Sequence, residues 1–173
     1  ADVTYPAPGA ALTLSSAYEG RDTGSVTVPV TGHTLMAHLP LTEKQLWEVG
    51  SGRLYELTLT YQSGDCTDTV ESYFGLRSVS WDNKCMYLNG KKVFQRLVLD
   101  QGFYPDGIYT APTDEDLKKD IELSMAVGFN GARLHEKVFE PRFLYWADKM
   151  GYLVWGEQGN WGLEIHNGEG IRN

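Results

Sequence analysis

Three short apolar segments separated by two amphipathic ones, between residues 96 and 157, limit most strongly what this chain can fold into. Arg96–Leu99, Asn130–His135 and Leu153–Glu157 have the length and composition of buried strands. The segments between them repeat apolar residues every third or fourth position, which is typical of helices. Strands that alternate with helices through short connections make parallel βαβ units. The pattern predicts the start of a (β/α)8 barrel, and a doubly wound sheet would fit the same order.

Both predicted helices have recognisable ends. Thr113 is suited to cap the first helix, because its hydroxyl can accept a hydrogen bond from a first-turn N–H group, and Gly128 is expected to end it. Pro141 suits the first turn of the second helix, where a missing N–H costs nothing, and Gly151 is expected to end it. The residues predicted to be buried are Leu117, Ile121, Met125, Phe143, Ala147 and Met150.

A complete barrel would not fit into this chain. Such a barrel needs about 250 residues. The chain has 173 residues, and only about 80 follow residue 92. The sequence therefore predicts the first three βα units of a truncated (β/α)8 barrel.

Residues 1 to about 76 have the shorter period of β-strands. Apolar and polar residues alternate in five runs, and glycine and proline residues separate the runs. Five runs predict a β-sandwich or part of one, since a complete immunoglobulin-type sandwich has seven strands. The predicted strands are Ala11–Ser16, Ser25–Val30, Thr34–Leu39, Leu54–Tyr61 and Thr67–Phe74.

The pattern changes near residue 80. Asn89 and Gly90 have the composition of a type I′ turn and predict a hairpin between Met86–Leu88 and Lys92–Phe94. We therefore expect two domains, a β-sandwich over residues 1–80 and the beginning of a barrel over residues 81–173.

Composition excludes several partners. The net charge of −8 and the scattered basic residues argue against nucleic acid and anionic membranes. No apolar run approaches the ~18 residues of a membrane span, and no signal peptide is visible. Cys66 and Cys85 lack the spacing of zinc ligands, so no metal or other cofactor is expected. Free thiols are favoured over a disulfide, which favours the cytoplasm; a mature secreted or periplasmic form is the alternative.

Strand alternation predicts a polar face at the C-terminal ends of the last two strands. In barrel enzymes this is where active sites are built. Burying a guanidinium, an imidazole and a carboxylate there is costly unless they pair or bind a polar ligand. A sugar suits such a site, because its hydroxyls form charge-assisted hydrogen bonds and its C–H surface stacks on an indole ring. The candidate substrate-binding residues are Arg133, His135, Trp155 and Glu157, together with Asp100, Gln101 and Trp161.

Each candidate also has a structural alternative. Arg133 and Glu157 could form an ion pair between neighbouring strands. His135 could be a hydrogen-bonded histidine of the core, and Trp155 could simply fill the barrel. Asp100 and Gln101, which end the first strand, could instead form a turn, and Trp161 could cap the core.

An ordered set of motifs closely resembles glycoside hydrolase family 2, the family of β-galactosidases, β-glucuronidases and β-mannosidases. The set covers about 120 residues in the order of the family. The resemblance implies the end of an immunoglobulin-like domain followed by barrel strands one to three. The matching segments are Leu46-Trp47 ahead of Tyr55-Glu56-Leu57, then Phe74–Arg77, Leu88–Lys91, Asp116–Asp120, Gly128–His135 and Tyr145–Glu157.

The resemblance implies a retaining hydrolase with two catalytic glutamates about 5 Å apart. In the family the acid/base lies in an Asn-Glu pair after the fourth strand and the nucleophile lies late in the barrel, so both are expected beyond Asn173. Asn167-Gly168-Glu169 is no match, because no apolar strand precedes it. Arg133 matches the family's arginine on strand two, and Glu157 matches the acid that shapes the site on strand three. The chain alone is therefore expected to be inactive.

The chain departs from the family pattern at two places. Leu134-His135-Glu136-Lys137 stands where many members have SHYP, and Arg96–Gln101 stands where many have RG followed by HE. The identity of the sugar is therefore open.

Three functions follow from these observations. The favoured one is a part of a retaining β-glycosidase that acts on a terminal β-linked sugar. The second is a module that binds carbohydrate without cleaving it, through Trp155, Trp161, Tyr104 and Tyr109. The third is a structural unit whose unpaired sheet edge associates with another chain, because an unfinished parallel sheet leaves an open edge.

Overall fold

The computed structural model describes residues 1–159, which divide into two compact units. The first unit consists of residues 1–47 and 53–76, and the second of residues 48–52 and of the chain from residue 77 onward. Cys66 lies in the first unit and Cys85 in the second, and both are free thiols.

The first unit is built on a four-stranded antiparallel sheet with the strand order β2-β1-β3-β4. The sheet contains two hairpins with tight turns, and Glu19, Gly20 and Gly64 have the positive φ angles that such turns require. The strands are β1 (Ala11–Tyr18), β2 (Arg21–Pro29), β3 (Tyr55–Ser63) and β4 (Cys66–Phe74).

Tyr55 is the centre of the first unit's core. Its ring is fully buried and stacks on Phe74 with centroids 4.9 Å apart. Its hydroxyl donates to the carbonyl oxygen of Glu43 (3.0 Å) and accepts from the N–H of Gln45 (2.7 Å). A buried hydroxyl with both bonds made avoids the desolvation cost of an unpaired polar group.

Four of the five strands predicted for this unit are present, and the fifth is not. Thr34–Leu39 makes one isolated bridge, from Thr34 to Asp2, and is otherwise irregular. The prediction of a strand there is wrong because alternation alone does not supply a partner. The N-terminal segment beside it pairs at residues 1–3 only, and Pro6 follows soon after.

The second unit begins with a small antiparallel sheet of β5 (Val79–Trp81), β6 (Met86–Leu88) and β7 (Lys91–Val93). The predicted turn at Asn89 and Gly90 is confirmed, since both residues have positive φ angles, of 52° and 74°. The short strand β5 was not predicted.

A three-stranded parallel sheet and two helices form the rest of the described second unit. The chain order is β8-α1-β9-α2-β10, and β9 lies between β8 and β10. The predicted alternation of strands and helices is confirmed. The elements are β8 (Leu97–Asp100), α1 (Asp114–Ala126), β9 (Gly131–Leu134), α2 (Pro141–Met150) and β10 (Leu153–Gly156).

The two helices cover one face of the parallel sheet. Ala132 and Leu134 of β9 are each 1% exposed and pack in one cluster with residues of both helices. Gly131 allows the close approach of the strands, because a Cβ atom there would lie 2.4 Å from the carbonyl oxygen of Leu153. The helix residues of the cluster are Leu117, Ile121, Phe143 and Ala147, with Met125 and Met150 partly buried beside them, as predicted.

The helix ends are those that the sequence predicts. Thr113 and Asp116 form a capping box, in which the N–H of Asp116 donates to the Thr113 hydroxyl and the N–H of Thr113 donates to the Asp116 carboxylate. Gly128 and Gly151 follow the two helices with φ angles of 99° and 72°. Among residues 1–159 no helix is both long and apolar enough to cross a membrane.

The capping box should contribute measurably to the free energy of unfolding. Thr113→Ala is expected to lower the free energy of unfolding by about 1 kcal/mol, because one N–H of the first turn loses its acceptor. Asp116→Ala should cost a similar amount, and the double variant should cost less than the two together, since the two side chains bond each other. Urea unfolding of the three variants measures this, and full additivity would contradict a coupled box.

Candidate functional site

One row of side chains crosses the face of the parallel sheet that the helices leave uncovered. Leu99, Arg133 and Trp155 lie opposite one another in the strand register. Leu99 and Trp155 are 52% and 48% exposed, so this face is open in the described part of the chain. The sequence prediction that Arg133 and Trp155 share a face and their apolar neighbours face the helices agrees with this geometry.

Arg133 and Glu157 form an ion pair at the carboxyl ends of β9 and β10. The Nε–H of Arg133 donates to Oε1 of Glu157, and Oε2 of Glu157 accepts from the N–H of Glu136 at 3.3 Å. The bond from Arg133, helped by that from Glu136, lowers the pKa of the Glu157 carboxyl below its ordinary value. Glu157 is therefore an ionised hydrogen-bond acceptor at neutral pH.

His135 continues the row beyond the end of β9. Its Nδ1 lies 3.0 Å from Nε2 of Gln101, the residue that follows β8. The backbone N–H of His135 also donates to the carbonyl oxygen of Asp100 at 2.7 Å. Because an amide nitrogen donates, Nδ1 of His135 is the acceptor in this bond. The two loops that leave β8 and β9 are thus joined at this point.

Trp155 has partners that the sequence analysis missed. Its indole N–H donates to Oε1 of Gln95 at 2.7 Å, and its ring meets the ring of Trp81 edge to face with centroids 5.9 Å apart. Trp81 is 57% exposed. Three residues of β5 give too short a pattern to reveal this pairing, so only the tertiary structure brings the two indoles together.

Asp100 does not share the face of Arg133, although it lies at the carboxyl end of β8. The strand register pairs it with Leu134, on the helix-covered side, and not with Arg133. Its carboxylate accepts from the N–H of Gly102 at 2.8 Å, and burial raises its pKa. This is the turn-forming alternative that the sequence left open. Trp161 and the segment Asn167-Gly168-Glu169 lie outside the described residues.

The site can hold a polar ligand by hydrogen bonds. The guanidinium group of Arg133 retains N–H donors beyond the one given to Glu157, and Glu157 supplies acceptors. With Nδ1 of His135 accepting from Gln101, the Nε2–H of its ring is a further donor. Adjacent hydroxyl groups of a sugar offer the matching pattern. Within residues 1–159, no group of three or more His, Cys, Asp or Glu side chains is arranged to hold a metal ion.

Residues 10–77 match the family model described as "Glycosyl hydrolases family 2". Over 115 residues, the chain is 30% identical to a putative beta-glucuronidase of Formosa agariphila, a match that covers 65% of this chain. The resemblance to glycoside hydrolase family 2 is confirmed. The family model covers mainly the first unit, whereas most of the motifs that carry the sequence resemblance lie in the second.

Other relatives agree with this family. The chain is 27% identical over 121 residues to a beta-galactosidase of Thermoanaerobacterium thermosulfurigenes, which covers 70% of this chain. The crystal structure of the beta-glucuronidase of Parabacteroides merdae matches 88% of this chain with a TM-score of 0.77 and 25% identity. These matches cover 14% of the Formosa protein, 17% of the Thermoanaerobacterium enzyme and 20% of the Parabacteroides chain, so this chain spans a small part of each of these relatives.

The Arg133–Glu157 pair predicts a shift in titration. Arg133→Gln should raise the pKa of Glu157 towards its ordinary value, because the bond that favours the ionised form is lost. A carboxyl ¹³C NMR titration measures this. Since the folded-state pKa of Glu157 is lowered, the stability that the pair adds is present above the ordinary pKa and is lost as the pH falls through the lowered one. Arg142→Gln, which breaks the exposed pair between Arg142 of α2 and Asp114 of α1, is the matched control and should leave Glu157 unchanged.

Proposed function

We propose that this chain supplies one wall of the sugar-binding site of a retaining β-glycosidase of glycoside hydrolase family 2. The elements β8-α1-β9-α2-β10 would be the first part of its (β/α)8 barrel, and the β-rich first unit would be the end of an immunoglobulin-like domain. The whole protein would hydrolyse the bond to a terminal β-linked sugar.

The ion pair of Arg133 and Glu157 carries this proposal. It lies at the carboxyl ends of two parallel strands, which is where barrel enzymes bind substrate. Arg133 is about half exposed, so its donors remain available to a ligand. Because solvent reaches both side chains, the pair adds little to the stability of the fold.

Catalysis requires carboxylates other than Glu157 in this proposal. A retaining glycosidase needs a proton donor and a nucleophile about 5 Å apart. The low pKa of Glu157, due to Arg133, makes it a poor proton donor, and its oxygens already accept two bonds. Its role would be to hold the sugar, and the catalytic pair would come from other parts of the barrel.

This chain alone should bind sugar weakly and turn over none. Purified chain is incubated with aryl β-glucuronides, β-galactosides and β-mannosides, and release of the phenol is followed. Turnover that co-purifies with the chain would overturn the expected inactivity. Binding is followed by chemical-shift changes at Arg133, His135 and Glu157 during titration with each sugar, and Arg133→Gln should weaken it at least about tenfold, since charge-assisted bonds are lost.

The exposed indoles favour a second function, carbohydrate binding without cleavage. Trp155 and Trp81 present aromatic surface next to Arg133. A binding module would depend on this surface, as sugar rings stack on indole faces. In the same titrations, Trp155→Ala would then abolish binding while Arg133→Gln would leave it largely intact, whereas the glycosidase site predicts weaker binding in the Arg133 variant.

The open edges of the parallel sheet also predict self-association. Within the described residues, β8 and β10 each pair with β9 only. Light scattering over a range of concentrations should show a mass that rises with concentration, and Trp155→Lys should weaken the effect. The control is Val70→Lys on β4, an edge strand of the other unit, with Val70 55% exposed. A monomer at all concentrations, or an effect of the control alone, would contradict association through β8 or β10.

A further inference from the structure

Lys137 is a buried cation with an unusual set of partners. Its side chain is 7% exposed. Its ammonium group donates to the carbonyl oxygens of Tyr109 (2.8 Å) and Gly102 (3.3 Å) and lies 3.8 Å from the carboxylate of Glu140. The rings of Tyr109 and Phe139 lie 4.6 and 4.7 Å from it. Taking an ammonium group out of water is unfavourable, so these contacts must together compensate for its lost hydration.

The partners of Lys137 lie at both ends of one loop. Gly102 follows β8 closely, and Tyr109 lies four residues before the cap of α1. Between them, Tyr104 and Ile108 exchange two backbone hydrogen bonds of 2.9 Å and form a small hairpin. The ammonium group therefore closes the loop of residues 101–113 at its base and joins it to the loop that follows β9.

The absence of a side chain at Gly102 leaves room for this ammonium group. A Cβ atom at Gly102 would lie 2.7 Å from Nζ of Lys137, and the residue has a φ of +66°. The site therefore admits a slender alkylammonium group and has little space for a larger cationic head.

The closed loop sets the position of a candidate ligand residue. Gln101 precedes Gly102 directly, and its amide bonds the imidazole of His135 on the uncovered face of the sheet. We propose that Lys137 is a positioning residue, whose buried ammonium group holds the loop of residues 101–113 so that Gln101 reaches His135. Its effect on sugar binding rests on the proposed function, whereas its effect on the loop does not.

The test uses Lys137→Met in the full chain, which keeps most of the length of the side chain and removes its charge. The ring NMR signals of His135 should shift, because the amide of Gln101 moves away from the ring. The signals of His33 and His38 in the first unit should not shift. Chymotrypsin should cleave at Phe103, Tyr104 and Tyr109 at least about tenfold faster, since local opening exposes the loop. Lys119→Met, an exposed lysine of α1, is the control and should change neither.

A second variant keeps the test decisive if Lys137→Met does not fold. Lys137→Arg retains the charge, but its larger head should displace the loop beside Gly102 and shift the same His135 signals. A folded variant of either kind with unshifted His135 signals and a protected loop would overturn the proposal. If the unmodified chain binds no sugar, the proposed function fails, while the ring signals and the cleavage rates still decide the role of Lys137.

Discussion

The second unit depends on the covering of one sheet face by two helices. Ala132 and Leu134 of β9 are almost fully buried against α1 and α2, and Gly131 lets the neighbouring strands approach. Since strand side chains alternate, burying this set directs Arg133 and Trp155 to the other face. The packing that stabilises the unit thus also places Arg133 and Trp155 in the candidate site.

The charged residues discussed for this unit lie in two different environments. Arg133 and Glu157 are paired where solvent still reaches them, so the pair adds little stability and stays available to a ligand. Lys137 is buried, and its contacts to two backbone carbonyl oxygens make it part of the architecture of the loops. The exposed pair suits binding, and the buried cation suits positioning.

Local patterns in the sequence predicted most elements of the second unit. The capping box at Thr113 and the glycine after each helix act through contacts a few residues apart, so the sequence shows them directly. The failed strand at Thr34–Leu39 shows the limit of this reasoning, because a strand also needs a long enough partner. The pairing of Trp81 with Trp155 joins residues too distant in sequence for any local pattern to reveal.

The sequence by itself determined the order of strands and helices, the face that holds Arg133 and Trp155, and the resemblance to glycoside hydrolase family 2. Periodicity and side-chain alternation are sufficient for the first two. Only the tertiary structure decided that Asp100 pairs in register with Leu134 and not with Arg133, and that Lys137 closes the loop after β8. These roles depend on which strands are neighbours and on where each loop returns, and contacts across 28 to 35 residues have no signature in local composition.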